Sequence, residues 1–154
     1  MNILDLNLNK YLKMKFKQGI YIPKNPEKYI HSYTKMNEHT EYPVYRSSWE
    51  LSFFKFCDYS PSITKWSSEP VGIKYFNPVK KRQSTYYPDA MIIRNDMTFL
   101  IEIKPKSQLP GSNSKSSYDK LSAAVNEAKY NAAKSYCEAN NMQFIILSDS
   151  FFKS

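Results

Sequence analysis

Cysteine and histidine are scarce in this sequence, with two of each among 154 residues. Cys57 and Cys137 stand far apart in the chain, and no other cysteine or histidine accompanies them at the spacing of a zinc site. We therefore expect two reduced cysteines in the core and no structural zinc. His31 and His39 lie in a segment rich in tyrosine and lysine, where we expect both on the surface rather than among metal ligands.

Long apolar runs are also missing from the sequence. None approaches the roughly 18 residues that a membrane-spanning helix needs. Residues 1–5 lack the basic and then apolar order of a secretory signal peptide. We therefore expect no membrane partner and no secretion through a signal peptide.

Positive charge is in excess. The 22 lysines and arginines outnumber 14 aspartates and glutamates, which gives a formal net charge of +8. This sign favours a polyanionic partner, with nucleic acid ranked before an anionic membrane. Aromatic residues reach 16% of the chain, and they suit half-buried strands or surfaces that stack on bases. The alternative is a basic protein without any polyanionic partner.

Residues 1–44 are predicted to form a basic, aromatic N-terminal arm, and residues 45–154 the compact core. Pro23, Pro26 and Pro43 interrupt any long helix in the arm. Lysines and aromatic residues alternate along it: Lys10, Tyr11, Lys13, Lys15, Phe16, Lys17, Tyr21, Lys24, Lys28 and Tyr29. Two interpretations stay open, because such an arm can follow a phosphate backbone or wrap its own domain.

The core has the element order of an α+β fold: helix, antiparallel strands, helix, strand. Ser47 and Glu50 match a capping box before a helix that reaches about residue 58. Strands are predicted over 63–68, 71–76, 85–94 and 98–104. A second helix over 118–140 and a strand over 143–147 complete the pattern.

Two carboxylates and a lysine fall on neighbouring predicted strands. Asp89 lies early in the third strand, and Glu102 and Lys104 share a face at the end of the fourth. A hairpin of suitable register brings Asp89 beside them. Neighbouring carboxylates repel unless a hard cation such as Mg²⁺ or Mn²⁺ neutralises them, and such a site suits phosphodiester hydrolysis. The alternative is a turn aspartate beside an exposed Glu–Lys ion pair.

Several motifs in order resemble the PD-(D/E)xK nuclease superfamily and, within it, the head completion nucleases of tailed bacteriophages. They are Tyr45-Arg46-Ser47-Ser48-Trp49-Glu50, Trp66-x-Ser68-Glu69, Tyr86-Tyr87-Pro88-Asp89, Glu102-Ile103-Lys104-Pro105-Lys106 and Asn126-x-x-Lys129-Tyr130-x-Ala132-Ala133. The resemblance covers about residues 42–150. It implies a restriction-endonuclease-like core, a mixed β-sheet flanked by helices with an N-terminal arm.

The resemblance also implies an activity: hydrolysis of DNA phosphodiesters with Mg²⁺ or Mn²⁺ as the cofactor and no small-molecule cofactor. Asp89 and Glu102 would be metal ligands and Lys104 the catalytic lysine. Glu50 would be a further acidic member of the site and a third metal ligand, although the capping box already accounts for a glutamate there. Glu69 is a lower-ranked candidate for the acidic site, and the alternative is that it is a solvated acid in a turn. Candidate contacts to DNA phosphate are Arg46, Lys80, Lys81, Arg82, Lys106 and Lys129.

The implied setting is virion assembly, with action on packaged DNA ends before tail attachment. The partners would be double-stranded DNA and phage head or portal proteins, and the location the virion head or the host cytoplasm. Two other functions stay open. One is a structural head or portal protein that binds DNA without cutting it, and the other is a transposon-end or repair nuclease of the same superfamily.

Overall fold

A four-stranded mixed sheet forms the centre of the protein. The computed structural model describes residues 18–37, 40–104 and 117–148. The elements are β1 (Gly19–Ile20), β2 (Val44–Tyr45), α1 (Ser48–Tyr59), β3 (Ile63–Ser68), β4 (Ile73–Asn77), β5 (Arg82–Tyr86), β6 (Ala90–Arg94), β7 (Met97–Lys104), α2 (Ser117–Ala139) and β8 (Gln143–Ser148). This order confirms the predicted α+β architecture.

Strands β3, β6 and β7 pair antiparallel, and β8 joins β7 in parallel after the α2 helix. Strands β4 and β5 form a separate hairpin, and β1 pairs with β2. Between β6 and β7 the connection is only Asn95-Asp96, and both residues have positive φ, at 50° and 63°. Left-handed values at both positions are those of the type I′ turn, which suits the twist of a two-residue hairpin.

Alternation along β7 divides the core between the two faces of the sheet. Ile101 and Ile103 join a buried cluster with Phe53 and Phe54 of α1. Leu100 joins a second cluster with Tyr130 of α2 and with the β4–β5 hairpin. The faces predicted from the two-residue period of a strand are confirmed. Glu102 therefore lies on the face covered by α2 and the hairpin.

Residues 21–28 pack against the end of α1 rather than extending from the domain. The carboxylate of Asp58, at the end of α1, accepts hydrogen bonds from the hydroxyl of Tyr21 and from the backbone N–H groups of Lys24 and Asn25. The Lys28 ammonium donates to backbone carbonyls of the last turn, at 2.6 Å from the oxygen of Cys57. A cation here satisfies the free carbonyls of a helix end. In this described part, the arm wraps its own domain.

The sequence-based expectations about the cysteines and histidines have different outcomes. Cys57 and Cys137 are buried free thiols, as predicted. His31 is only partly exposed and both of its ring nitrogens are buried, so its predicted surface position is wrong. His39 lies outside the described residues.

The division at residue 44 stays a prediction. Within the described ranges, no helix combines the length and apolar character that crossing a membrane requires.

The predicted strand 85–94 is two strands that belong to different sheets. Strand β5 ends at Tyr86, and β6 begins at Ala90. The physical reason is Pro88, which has no N–H for a ladder hydrogen bond and restricts the residue before it. The interruption lets the chain leave the β4–β5 hairpin and enter the central sheet. Asp89 consequently lies at the junction of the two sheets.

Candidate active site

Asp89 and Glu102 face each other because of the β6–β7 register. Ala90 pairs with Ile101, so the next positions along the antiparallel ladder are Asp89 and Glu102. The backbone N–H of Ile103 donates to Asp89 Oδ2 at 2.7 Å, and this bond holds the carboxylate beside the ladder. On the other side, the N–H of Glu69 donates to the carbonyl of Asp89 at 2.9 Å. The predicted convergence of these two carboxylates rests on this pairing.

Glu102 is 6% exposed, and each of its carboxylate oxygens has its own neighbour. The Tyr86 hydroxyl donates a hydrogen bond to Oε2. The Lys104 ammonium lies 3.7 Å from Oε1. Because Glu102 and Lys104 are two residues apart on β7, both project to the same face. The side chain of Lys104 remains 26% exposed, so its ammonium can reach a bound substrate.

Glu50 stands in the first turn of α1, where Ser47 caps the helix. Ser47 Oγ accepts a hydrogen bond from the Glu50 N–H at 3.1 Å, as the capping box predicts. The Glu50 side chain is partly buried and interacts electrostatically with Asp89. The helix therefore places a third carboxylate in the same electrostatic environment as the two on the strands.

The pKa values of these carboxyls show that negative charge is unfavourable here. Burial, reinforced by the charge of Glu102, raises the pKa of Asp89 to about 8. Burial and then the charge of Asp89 raise the pKa of Glu50 to about 7. Burial also raises the pKa of Glu102, against the opposing effects of Tyr86 and Lys104. Carboxyls that resist ionisation together are stabilised as anions by a cation among them.

The donor set of Asp89 and Glu102 suits a hard divalent cation in its chemistry. No hydrogen bond from a described residue reaches Asp89 Oδ1. Across residues 18–37, 40–104 and 117–148, no group of three or more His, Cys, Asp and Glu side chains is arranged to hold a metal ion. Mg²⁺ does not require such a cage, since it commonly keeps several waters and binds through one or two carboxylates and substrate phosphate.

Glu69 is buried beside this site and is not the solvated turn acid that was considered from the sequence. Its side chain is 8% exposed, and its Oε1 lies 2.5 Å from an Arg46 guanidinium nitrogen. Its Oε2 is buried without a hydrogen-bond partner, and its φ of 44° is left-handed. Arg46, predicted to contact phosphate, is therefore engaged with Glu69. The sequence signal was Glu69 before Pro70, which gave no indication of burial.

The remaining predicted DNA contacts fall into two places. Lys80, Lys81 and Arg82 are exposed around the β4–β5 turn, and Lys129 projects from α2. The Lys129 ammonium lies 5.8 Å from the centroid of the Tyr86 ring, which brings it next to Glu102. Lys106 lies outside the described residues. The structure thus brings Lys129, but not Arg82, to the carboxylates.

Tyr86 is the site residue that sequence reasoning left without a role. It appeared only as part of the Tyr86-Tyr87-Pro88-Asp89 motif. It is 5% exposed and holds Glu102 through its hydroxyl, and burial followed by the charge of Glu102 raises its pKa. No spacing in the sequence links Tyr86 to Glu102, because the two residues belong to different sheets.

Comparison with known proteins gives two findings that agree with this geometry. Residues 60–149 match the family described as TnsA-like endonuclease N terminal. The chain is also 32% identical over 142 residues to the head completion nuclease of Enterobacteria phage T4, a match that covers 85% of this chain and 90% of that protein. The matched range contains Asp89, Glu102 and Lys104. The protein therefore belongs to the restriction-endonuclease-like nucleases, in the family of TnsA-like endonuclease N-terminal domains.

Proposed function

We propose that this nuclease is an endonuclease that hydrolyses DNA phosphodiesters with Mg²⁺ or Mn²⁺. The observation that carries the proposal is the meeting of Asp89, Glu102 and Lys104 at the edge of β6 and β7, with the carboxyl pKa values raised. The formal net charge of +8 supports a polyanionic substrate. The site lies beside the basic residue Lys129, which is itself near Lys80.

Asp89 and Glu102 would hold the cation, and Glu50 would add a third negative charge nearby. When bound, the cation supplies Lewis-acid polarisation of the phosphodiester and favours deprotonation of the attacking water. The Ile103 N–H fixes Asp89, and the Tyr86 hydroxyl fixes Glu102. These bonds hold the carboxylate oxygens in place before substrate arrives, which reduces the reorganisation that the reaction requires.

Lys104 acts on the reacting phosphate in this proposal. Its ammonium, 3.7 Å from Glu102 Oε1, is part of the same site and remains accessible. It orients the attacking water or stabilises the negative charge that grows on the phosphoryl oxygens in the transition state. Lys129, held over the Tyr86 ring, places a second ammonium on the same side of Glu102.

The biological setting that we propose is completion of a phage head, by analogy with the T4 protein of that name. The substrate would be the end of packaged double-stranded DNA before the tail attaches. The partners would be head or portal proteins, and the location the virion head or the host cytoplasm during assembly. The match covers 90% of the T4 protein, which supports this setting.

Asp89→Asn tests the site directly. The amide oxygen can still accept the hydrogen bond from Ile103, so the fold should persist while one metal-binding charge is lost. We expect Mg²⁺-dependent nicking of supercoiled plasmid DNA to fall at least about 100-fold. Asp96→Asn is the matched control, because Asp96 is exposed in the β6–β7 turn. An Asp89→Asn protein that cuts as fast as the wild type would rule out this site.

The same preparations separate the proposal from DNA binding without cleavage. Wild-type protein that binds Mg²⁺ in calorimetry and binds DNA, yet leaves plasmid, linear and branched DNA intact, would support a structural head or portal protein instead. RNA of equal length tests the preference for DNA. Cleavage of RNA at the same rate would contradict the proposed substrate class.

A transposon-end or repair nuclease is the second candidate function. The match of residues 60–149 to the TnsA-like family favours it, because that family is described as an endonuclease without reference to phage heads. Cleavage of branched DNA at a higher rate than linear ends would support this candidate. Cleavage restricted to linear ends would support the phage setting.

A further inference from the structure

A groove outside the carboxylate site runs between the β4–β5 hairpin and α2. It has a volume of about 390 Å³. The hairpin contributes Tyr75, Asn77, Val79 and Lys80, and α2 contributes Leu121, Ser122, Val125, Asn126 and Lys129. This volume lies within the roughly 300–1,000 Å³ of pockets that enclose small organic groups. None of the roles assigned above requires a concave apolar surface here.

The walls of the groove are largely apolar and its mouth is exposed. Val79 and Leu121 are 42% and 52% exposed, on opposite sides of the groove. Asn77 Oδ1 accepts hydrogen bonds from the backbone N–H groups of Val79 and Lys80 and so fixes the turn. Ser122 and Asn126 are the partly exposed polar groups of the α2 wall.

Two ammonium groups line the same groove, one from each wall. Lys80 comes from the hairpin turn, and Lys129 comes from α2. The two walls therefore bring like charges to one groove. Like charges brought together in this way favour an anion between them. The ligand that fits is therefore one with an anionic group joined to a flat apolar body.

The groove is joined to the carboxylate site through Lys129 and Tyr86. Lys129 lines the groove and lies over the Tyr86 ring, whose hydroxyl holds Glu102. A ligand in the groove is consequently a neighbour of the phosphate that would be cut. The faces of a paired base are covered by its stacked neighbours and only its edges are exposed in the DNA grooves, so duplex DNA would offer the apolar walls no base face to contact.

We propose that this groove binds one unpaired nucleotide of the DNA substrate beside the cleavage site, with its base against the apolar walls and its phosphate between Lys80 and Lys129. The inference rests on the proposed DNA substrate and narrows it to DNA with a single-stranded tail, flap or frayed end. Bases bind to apolar and aromatic surfaces without sequence preference, so no sequence specificity is expected.

Ser122→Trp tests the proposal by filling the groove from its α2 wall. The probe is a fluorescein-labelled DNA hairpin with a short single-stranded tail, in 5′ and 3′ versions, and its blunt counterpart, with binding measured by anisotropy in EDTA. The wild type should bind one tailed probe more tightly than the blunt probe. The variant should weaken that binding at least about tenfold and leave blunt binding within about twofold. Ser135→Trp, on an exposed position of α2, should change neither.

Lys80→Gln provides a second variant on the exposed turn, where folding is not at risk. It should reduce the salt dependence of tailed-probe binding by about 0.7 in the log–log slope, as loss of one phosphate contact to a single strand does. Lys74→Gln is its control, since Lys74 is exposed and its ammonium donates to Thr85 rather than lining the groove.

The outcomes distinguish this inference from the proposed nuclease activity. Equal wild-type binding of tailed and blunt probes would overturn the inference, and so would a Ser122→Trp protein that binds the tailed probe normally. Equal weakening of both probes would identify a duplex surface and also overturn it. If the wild type binds the tailed probe selectively but never cuts DNA with Mg²⁺, the proposed function is wrong and the inference about the groove remains.

Discussion

Replacing Glu50 by glutamine removes one negative charge from the carboxyl cluster with little other change. Glutamine forms helices about as well as glutamate and also serves at this capping-box position. The N–H of residue 50 can still donate to Ser47 Oγ. The difference between the two proteins therefore measures what the ionised carboxylate contributes to stability in the absence of metal.

The expected magnitude follows from the pKa of Glu50, which burial and then the charge of Asp89 raise from 4.5 to about 7. An acid whose pKa is higher in the folded state costs stability as the pH rises from the unfolded value to the folded value. A rise of about 2.5 units, at about 1.4 kcal/mol each, costs about 3 kcal/mol above pH 7. Glu50→Gln avoids this cost and should be more stable than the wild type by that amount.

Urea unfolding in EDTA at pH 5 and pH 8 measures this difference. At pH 8 the variant should gain about 3 kcal/mol, and at pH 5 about 1 kcal/mol or less. Glu138→Gln, an exposed change on α2, should stay within about 0.5 kcal/mol at both pH values. Adding Mg²⁺ should stabilise the wild type more than the variant, because a ligand stabilises the state that binds it. A variant with the same gain at both pH values would refute the reasoning.

Two further predictions concern hydrogen bonds to buried carboxylates. Tyr86→Phe removes the hydroxyl that favours ionised Glu102, so the pKa of Glu102 should rise. The acid limb of the cleavage pH profile should then move upward by about one pH unit. If that limb does not move, Tyr86 has a packing role only. Burial raises the pKa of Asp58, but hydrogen bonds from Tyr21, Lys24 and Asn25 outweigh burial and lower it. A lowered acid pKa contributes stability above the unfolded value and loses it as the pH falls. Asp58→Asn should therefore cost about 2–4 kcal/mol in urea unfolding at pH 7 and less below pH 4, whereas unchanged stability at pH 7 would contradict the role of that carboxylate.

Local patterns in the sequence predicted most of the elements. The Ser47 and Glu50 capping box gave the start of α1, and the two-residue period of a strand gave the two faces of β7. These features depend on neighbours within a few positions of one another, which is what local periodicity records. The carboxylate pair could also be predicted from the sequence, because Asp89 and Glu102 belong to consecutive strands of one hairpin.

The features that were missed depend on contacts between distant segments. Pro88 ends one strand and begins the path to another sheet, and nothing local shows that the Tyr86 hydroxyl then reaches Glu102. The burial of Glu69 follows from its Arg46 partner, 23 positions earlier in the chain. Lys28 was considered as a phosphate contact but caps α1. Charge and spacing alone do not distinguish a solvated lysine from one that satisfies a helix end.

The Asn95-Asp96 turn determines the geometry of the active site at the other end of its hairpin. Its two left-handed residues fix which positions of β6 and β7 oppose each other. Asp89 and Glu102 lie about 20 Å away along the strands, at about 3.4 Å per residue. A single inserted residue would shift the pairing by one and send Glu102 toward the face of α1, with every active-site side chain still present in the sequence. Evolution of this enzyme is therefore held to the length of that surface turn and to residues such as Asn, Asp and Gly that tolerate its left-handed backbone.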